Sequence, residues 1–315
     1  MKTPKRLVIK GIVNHCYQRT VEGFVIFYSV SDFLCFFTEF CMCALKHNVK
    51  IVKLCLMYDH IHFCAICDSS EQLASFVQEY TSRFSRKNNR LLGIRGNFFC
   101  SPFGSASKKG DKAARTTFIY CDNNPVERKM VSKAEEYRWN FLAYAMSDHP
   151  FSEPLVISKA SRAMVKAVNM VKAQRKSCIP LSYQMIQNLF ADLVRVEKEQ
   201  LVDYIITSYS VIDHDYCQRF FNSCEDMLLA THANTGSEYD INETFIGKSD
   251  RIYPVITNYL LRTLKISDIH EVLSYPVDTK ILLFNRILAD LRPTHVQQVA
   301  KYLHMTVKPA DKSDY

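Results

Sequence analysis

Residues 54–63 read LCLMYDHIHF, an apolar run in which His60 and His62 flank one isoleucine. In a β-strand, side chains two positions apart point to the same face, so both imidazoles can reach one cation while the isoleucine turns into the core. Further along, Tyr120 precedes Asn124 by four residues, which places both on one face of a helix. The pattern predicts a metal site beside a tyrosine nucleophile. Taken alone, a pair of histidines on an apolar strand is more often a hydrogen-bonded part of the core.

The segments around these residues alternate between strand and helix patterns. Three segments rich in Val, Ile and Leu predict β-strands: 6–17, 49–57 and 61–67. Helical spacing of apolar residues covers 30–47 and begins again at Ser69, a predicted N-cap. Residues 100–113 predict a mobile loop, and 112–120 a helix that Pro125 ends or bends. This alternation predicts an α+β, ferredoxin-like domain with an antiparallel sheet.

Positive charge is concentrated in the first half of the chain. Residues 1–150 hold 21 Lys and Arg against 13 Asp and Glu, whereas the remainder holds 19 of each, so the net charge of +8 belongs to the first half. Nine basic residues lie between positions 83 and 115: Arg83, Arg86, Lys87, Arg90, Arg95, Lys108, Lys109, Lys112 and Arg115. Singly, each is an ordinary solvated residue. As a cluster beside the predicted site they indicate a phosphate backbone as partner, bound in a salt-dependent way.

Several separated motifs resemble, in identity and order, those of the single-tyrosine HUH transposases, and among them the REP-associated tyrosine transposases. They are Asn14–Arg19 (NHCYQR), 25–27 (VIF), 56–62 (LMYDHIH), 96–99 (GNFF), 120–126 (YCDNNPV) and 135–139 (EEYRW). The resemblance covers roughly residues 5–145. Tyr58 and Asp59 depart from the Pro-Asn that the family has before its first histidine. Asp59 could still orient His60 by accepting a ring N–H.

The resemblance implies an HUH nuclease domain over 1–149 that acts on single-stranded DNA, folded into a hairpin as in REP elements. Tyr120 would attack a phosphodiester and form a 5′-phosphotyrosine, and strand transfer would follow. His60, His62 and Asn124 would hold Mg²⁺ or Mn²⁺. His15 either supports these ligands or simply packs. The residues expected to contact DNA are Arg19, Arg83, Arg86, Lys87, Arg90, Arg95, Lys108 and Lys109.

Residues 150–315 form a second predicted region that is mainly helical. Helical patterns cover 155–176, 186–208, 278–291 and 294–303. The last of these resembles the first helix of a helix-turn-helix, although Lys308-Pro309 leaves no room for a recognition helix after it; alternatively, Thr294 begins the recognition helix itself. A helical bundle for homodimerisation or for shielding the active site is equally compatible, and the neutral charge of the region favours it.

The composition of the chain predicts the cellular compartment in which the protein acts. No run of 18 apolar residues and no signal-peptide pattern is present, which predicts a cytoplasmic, nucleoid-associated protein without a membrane partner. The twelve cysteines fit a reducing compartment. Three other functions stay open: a binding-only protein, a domesticated enzyme that processes genomic repeats, and a rolling-circle replication or conjugation nuclease, which uses the same chemistry.

Overall fold

The fold is described from a computed structural model, which covers residues 7–93, 95–233 and 248–306. Its four strands are β1 (Asn14–Arg19), β2 (Lys50–Leu56), β3 (His60–Ile66) and β4 (Gly104–Ser107). They form one sheet in the order β2-β3-β1-β4, and every neighbouring pair is antiparallel. Helices α1 (Val30–Lys46) and α2 (Ser70–Leu92) connect β1 to β2 and β3 to β4. Two split β-α-β units therefore interleave as in ferredoxin-like domains, which confirms the predicted α+β class.

The two faces of this sheet have different roles. On β3, Ile61 and Phe63 belong to the main core, where Phe63 contacts aromatic side chains of α1 and α2. His60, His62 and Cys64 alternate with them and point to the opposite face. Helix α3 (Asp111–Glu127) packs on that second face. The helix with the tyrosine and the strand with the histidines are thus directly opposed.

Local signals explain where α1 and α2 begin. The Ser29 hydroxyl accepts from the Asp32 backbone N–H, and the Asp32 carboxylate accepts from the Ser29 N–H at 2.9 Å, which is a capping box. Ser69 caps α2 as predicted, accepting from the Gln72 N–H at 3.1 Å. Gly93, in the left-handed region with φ of 64°, ends α2.

Several predicted boundaries were wrong. β1 begins at Asn14, not at residue 6, because Gly11 turns the chain with φ of 76° just before it; Arg6 itself lies outside the described residues. The predicted loop 100–113 contains β4, which pairs with the edge of β1. Helix α3 continues to Glu127, and Pro125 lies within its last turn.

The second region is mainly helical, as predicted. Its helices are α4 (Arg162–Lys176), α5 (Tyr183–Phe190), α6 (Arg195–Tyr209), α7 (His214–Gln218), α8 (Cys224–Ala233), α9 (Ile252–Leu264), α10 (Val277–Asp290) and α11 (Val296–Leu303). The single helix predicted over 186–208 is two helices, since residues 191–194 break the pattern and bury Leu193. The helix predicted from 155 starts only after Ser161, whose hydroxyl caps it.

The helical region packs closely on the first one. Helices α5 and α6 lie on α1, and side chains of both regions share the main core. Helices α7 and α8 contact β2 and α3 on the opposite face of the sheet. The division at 149/150 stays a prediction. None of the helices in the described ranges combines the length and the apolar character needed to cross a membrane.

Helix α11 lies against the first region rather than projecting from it. Five of its eight residues are buried, and the Val25 N–H donates to the Lys301 carbonyl at 3.1 Å. Such a helix presents little surface to a DNA groove, so its packing gives no support to a recognition-helix role. Lys308-Pro309 lies outside the described residues.

A buried histidine ties the two regions together at the start of α1. His270 Nδ1 lies 2.6 Å from Asp268 Oδ1, and its Nε2 lies 3.0 Å from Asp32 Oδ1. Burial alone would lower the pKa of His270, but the charge of Asp32 and the bond to Asp268 raise it to about 10. The two carboxylates thus hold the imidazole in its charged form at neutral pH.

A pH-dependent stability follows from this raised pKa. The contribution of His270 should be fully present below about pH 6.5, its unfolded pKa, and be lost as the pH rises through about 10. The free energy of unfolding, from urea titrations across this range, should therefore fall with pH. His270→Gln should show a shallower decline, and an unchanged slope would contradict the assignment.

Candidate active site

Strands β1 and β3 bring three histidines together under α3. The antiparallel pairing of the two strands places Tyr17 of β1 directly opposite His62 of β3. The His15 and His62 rings stack with centroids 5.3 Å apart, and the ring of Tyr120 meets His62 edge-on at 5.3 Å and His15 at 5.6 Å. The predicted tyrosine and both predicted ligand histidines therefore occupy one cluster, and His15 belongs to it.

Asn124 sits between the two histidines of the HIH motif. Its Oδ1 lies 3.1 Å from His60 Nε2, and its Nδ2 lies 3.1 Å from His62 Nε2. Tyr120 and Asn124 share one face of α3, as the four-residue spacing predicted. Both imidazoles therefore direct the same nitrogen at one amide group.

The other nitrogen of each imidazole also has a partner. Asp59 Oδ1 lies 2.6 Å from His60 Nδ1, and His15 Nε2 lies 3.2 Å from His62 Nδ1. Metal-binding histidines are typically held in this way, which fixes the ring orientation and the tautomer. Asp59 and His15 are thus placed where an orienting role requires them.

Asp59 has a second partner, which sequence reasoning missed. Lys301 of α11 donates to Asp59 Oδ2 at 2.8 Å, across 242 positions of the chain. Burial alone would raise the pKa of Asp59, but the charge of His60, its hydrogen bond and the charge of Lys301 bring it well below the usual range. The carboxylate therefore stays ionised, and the helical region takes part in the site through one lysine.

The donor set fits a divalent cation. Charged His60 donates both ring protons, to Asp59 and to the Asn124 carbonyl oxygen at 3.1 Å, whereas in neutral His60 with its proton on Nδ1 the Nε2 lone pair faces that oxygen. Two acceptors at this distance are favourable only with a cation or proton between them, and adjacent ligands on one octahedral cation are about 3 Å apart. In residues 7–93, 95–233 and 248–306, no cluster of three or more His, Cys, Asp or Glu could bind a metal. A cation here would use two imidazoles and the amide oxygen.

The orienting role of Asp59 can be measured. Asp59→Asn removes the charge that holds His60, so the affinity for Mn²⁺, measured by electron paramagnetic resonance, should fall by about 10- to 100-fold. Asp148→Asn makes the same chemical change at an exposed carboxylate and should leave the affinity unchanged. Equal affinities for wild type and Asp59→Asn would rule the role out.

A buried ion pair, also missed from the sequence, anchors α3 to the sheet. Lys53 Nζ on β2 lies 2.6 Å from Asp122 Oδ2 on α3, and both side chains are no more than 3% exposed. Burial would lower the pKa of Lys53, but the charge of Asp122 raises it above its ordinary value, so the lysine stays protonated. Because Asp122 lies between Tyr120 and Asn124, this pair fixes the helix that carries both.

Removing one partner of this pair should be strongly destabilising. Lys53→Met leaves the Asp122 carboxylate buried without its cation, and the free energy of unfolding should drop by about 3–5 kcal/mol. The double variant Lys53→Met, Asp122→Leu should recover much of that loss. Urea denaturation measures both, and a single variant as stable as wild type would show that the pair does not anchor α3.

The outer side of α3 is covered by the helical region. Phe118 packs edge-on against Phe220 with centroids 5.4 Å apart, and the Asn123 side chain donates to the Thr231 carbonyl at 2.7 Å. The site below is closed: Tyr120 is 2% exposed and His62 is 0% exposed. A molecule that is to reach the tyrosine would therefore have to displace covering residues.

The predicted DNA-binding residues are divided between the two faces. Arg19 ends β1 and lines a cavity with His60, as expected for the active face. The basic residues of α2 do not lie beside the site, because α2 packs on the other face: Arg83 contacts Glu39 at 3.2 Å and Glu79 at 2.5 Å, and Lys87 pairs with Glu39. Of the remaining predicted residues, Arg86 and Arg90 lie on α2, Arg95 follows it, and Lys108 and Lys109 follow β4. The prediction of one basic cluster beside the site was wrong for α2.

Residues 36–124 match the family model described as "Transposase IS200 like". Over this segment the chain is similar to the IS200-like transposases. The segment runs from α1 to Asn124 and contains both histidines and Tyr120. It confirms the family resemblance drawn from the motifs and supports a transposase-like, DNA-processing role.

One solved structure is also similar, that of a protein described as the REP-associated tyrosine transposase bound to a REP hairpin. Its sequence is 14% identical, the match covers 51% of this chain and 98% of that chain, and the TM-score is 0.40. The search of curated proteins finds no match.

Proposed function

We propose that the protein is a metal-dependent, single-stranded DNA endonuclease and strand transferase that acts on hairpin, REP-like DNA through Tyr120. The observation that carries the proposal is the convergence of Tyr120, His60, His62 and Asn124 within the segment similar to IS200-like transposases. Mg²⁺ or Mn²⁺ bound there would stabilise the negative charge that develops on the phosphate oxygens.

In the proposed reaction the Tyr120 oxygen attacks phosphorus in line with the leaving 3′-oxygen. The phenol loses its proton, a tyrosine–phosphorus bond forms, the bond to the 3′-oxygen breaks, and that oxygen is protonated. The product is a 5′-phosphotyrosine and a free 3′-hydroxyl. The number of phosphodiester bonds is unchanged, so the same or another 3′-hydroxyl can reverse the attack without ATP. Strand transfer is the natural outcome.

The closed site favours a second candidate, a protein that binds hairpin DNA without cutting it. An attacking oxygen has to come within about 3–3.5 Å of phosphorus, and Tyr120 is 2% exposed under α3. Cleavage therefore requires α3 and the helices over it to shift when DNA binds. In a binding-only protein no such shift would occur.

One assay separates the two candidates. The full chain is mixed with Mn²⁺ and single-stranded oligonucleotides copied from hairpins that flank its own gene, then denatured and separated by electrophoresis. The endonuclease should give a denaturation-resistant protein–DNA adduct that EDTA abolishes. Tight binding with no adduct on any hairpin would replace the proposal with the binding-only function.

A further inference from the structure

A cavity of about 270 Å³ opens beside His60, on the side away from the main core. Its walls come from distant parts of the chain: Arg19 at the end of β1, Asp59 in the turn before β3, Arg128 after α3, and Lys301 of α11. Since His60 also contacts Asn124, the cavity and the tyrosine site share one wall.

The charges around this cavity suit a single negative charge. Three cations, Arg19, Arg128 and Lys301, line it with two carboxylates, Asp59 and Glu22. Asp59 accepts one of the three ammonium protons of Lys301. Arg19 lies with its guanidinium carbon 5.4 Å from the centre of the Tyr17 ring, and the described part of the structure shows no ion pair for it. Arg128 also interacts electrostatically with Asp250, so Arg19 is the cation of this cavity that can bind a ligand.

The absence of a side chain at Gly23 leaves space in the cavity wall for the Lys301 side chain. Gly23 has φ of 66°, in the left-handed region that favours glycine, and a Cβ there would come within 3.1 Å of Lys301 Cε and 3.3 Å of its Nζ. A side chain at this position would crowd the end of the Lys301 side chain, which would have to shift. The turn after β1 therefore leaves room for the lysine and for a ligand beside it.

We propose that this cavity binds one backbone phosphate of the DNA strand, next to the phosphate that Tyr120 attacks. The inference rests on the proposed function and names a subsite of it. A phosphodiester carries one negative charge, and the fork of Arg19 can hold two of its oxygens. Helix α11 thereby contributes a DNA contact, which gives the helical region a direct part in substrate binding.

The test replaces one charged linkage at a time by a neutral methylphosphonate in the oligonucleotide that forms the adduct. Binding is measured by fluorescence anisotropy in metal-free buffer, where no cleavage occurs, for wild type, Arg19→Gln and Arg19→Lys. Arg86→Gln makes the same change on α2, on the opposite face of the sheet, and is the matched control. Thermal melting verifies that each variant is folded.

For wild type and Arg86→Gln, neutralising one linkage next to the cleaved one should weaken binding of the strand by about tenfold. Arg19→Gln should bind the unmodified strand about tenfold more weakly, and neutralising that linkage should weaken its binding hardly any further. Arg19→Lys should recover part of the affinity for the unmodified strand.

Equal losses of affinity at that linkage in wild type and Arg19→Gln would overturn the phosphate site, although adduct formation would still support the proposed endonuclease function. Uniform losses at all linkages, with competition by inorganic phosphate at constant ionic strength, would assign the cavity to free phosphate and also overturn it. Failure to form an adduct on any hairpin would overturn the function itself.

Discussion

Replacing Tyr120 with phenylalanine should abolish the covalent protein–DNA adduct and lower strand cleavage by at least about 10⁴-fold, because the variant lacks the oxygen that attacks phosphorus. The phenyl ring can keep the edge-on contacts with His15 and His62. Hairpin binding, measured in metal-free buffer, should therefore remain close to that of wild type.

The matched control for this prediction is Tyr216→Phe on α7, which removes a phenol away from the histidines. It should form the adduct at the wild-type rate. An adduct that persists in Tyr120→Phe would assign the nucleophile to another residue and would separate the HIH motif from Tyr120.

Replacing either His60 or His62 with glutamine should lower the rate of adduct formation by about 10³-fold at saturating DNA. That loss corresponds to the several kcal/mol of charge stabilisation that a bound metal supplies in the transition state. Each ring directs Nε2 at Asn124, and glutamine cannot place a nitrogen ligand there. Quenched-flow or gel time courses over a range of Mn²⁺ concentrations provide the rates.

His47→Gln is the matched control, since His47 lies at the end of α1 and contacts Glu79 on the other face of the sheet. It should react as wild type does. If His62→Gln also cleaved DNA at the wild-type rate without metal, His60, His62 and Asn124 would be structural residues of the core. That is the more common role of such histidines.

The parts of the site that sequence analysis identified depend on short, regular spacings. The two-residue period of a strand places His60 and His62 on one face, and the four-residue period of a helix places Tyr120 and Asn124 together. These relations hold wherever the elements lie in the fold. The α+β class was also predicted from the alternation of strands and helices, but β4 was missed because its four residues, Gly104–Ser107 (GSAS), lack the apolar alternation of a strand.

The remaining parts depend on contacts between distant positions. Nothing near Lys301 indicates that its ammonium group reaches Asp59, and a lysine in the apolar strand β2 gives no sign of a partner on α3. The basic residues of α2 follow each other closely in sequence, yet the helix has two sides, and Arg83 and Lys87 face Glu39. Charge density along a chain does not specify the face on which the charges lie.

The most direct test of the central claim is to find the amino acid that carries the DNA. Trypsin cleaves after Arg115 and Arg128, and the peptide between them, TTFIYCDNNPVER, has Tyr120 as its one tyrosine. After adduct formation, nuclease and trypsin digestion, mass spectrometry should find this peptide with a nucleotide linked through a 5′-phosphate to Tyr120. A nucleotide on another peptide, or an unmodified peptide from an adduct that is otherwise intact, would contradict the account.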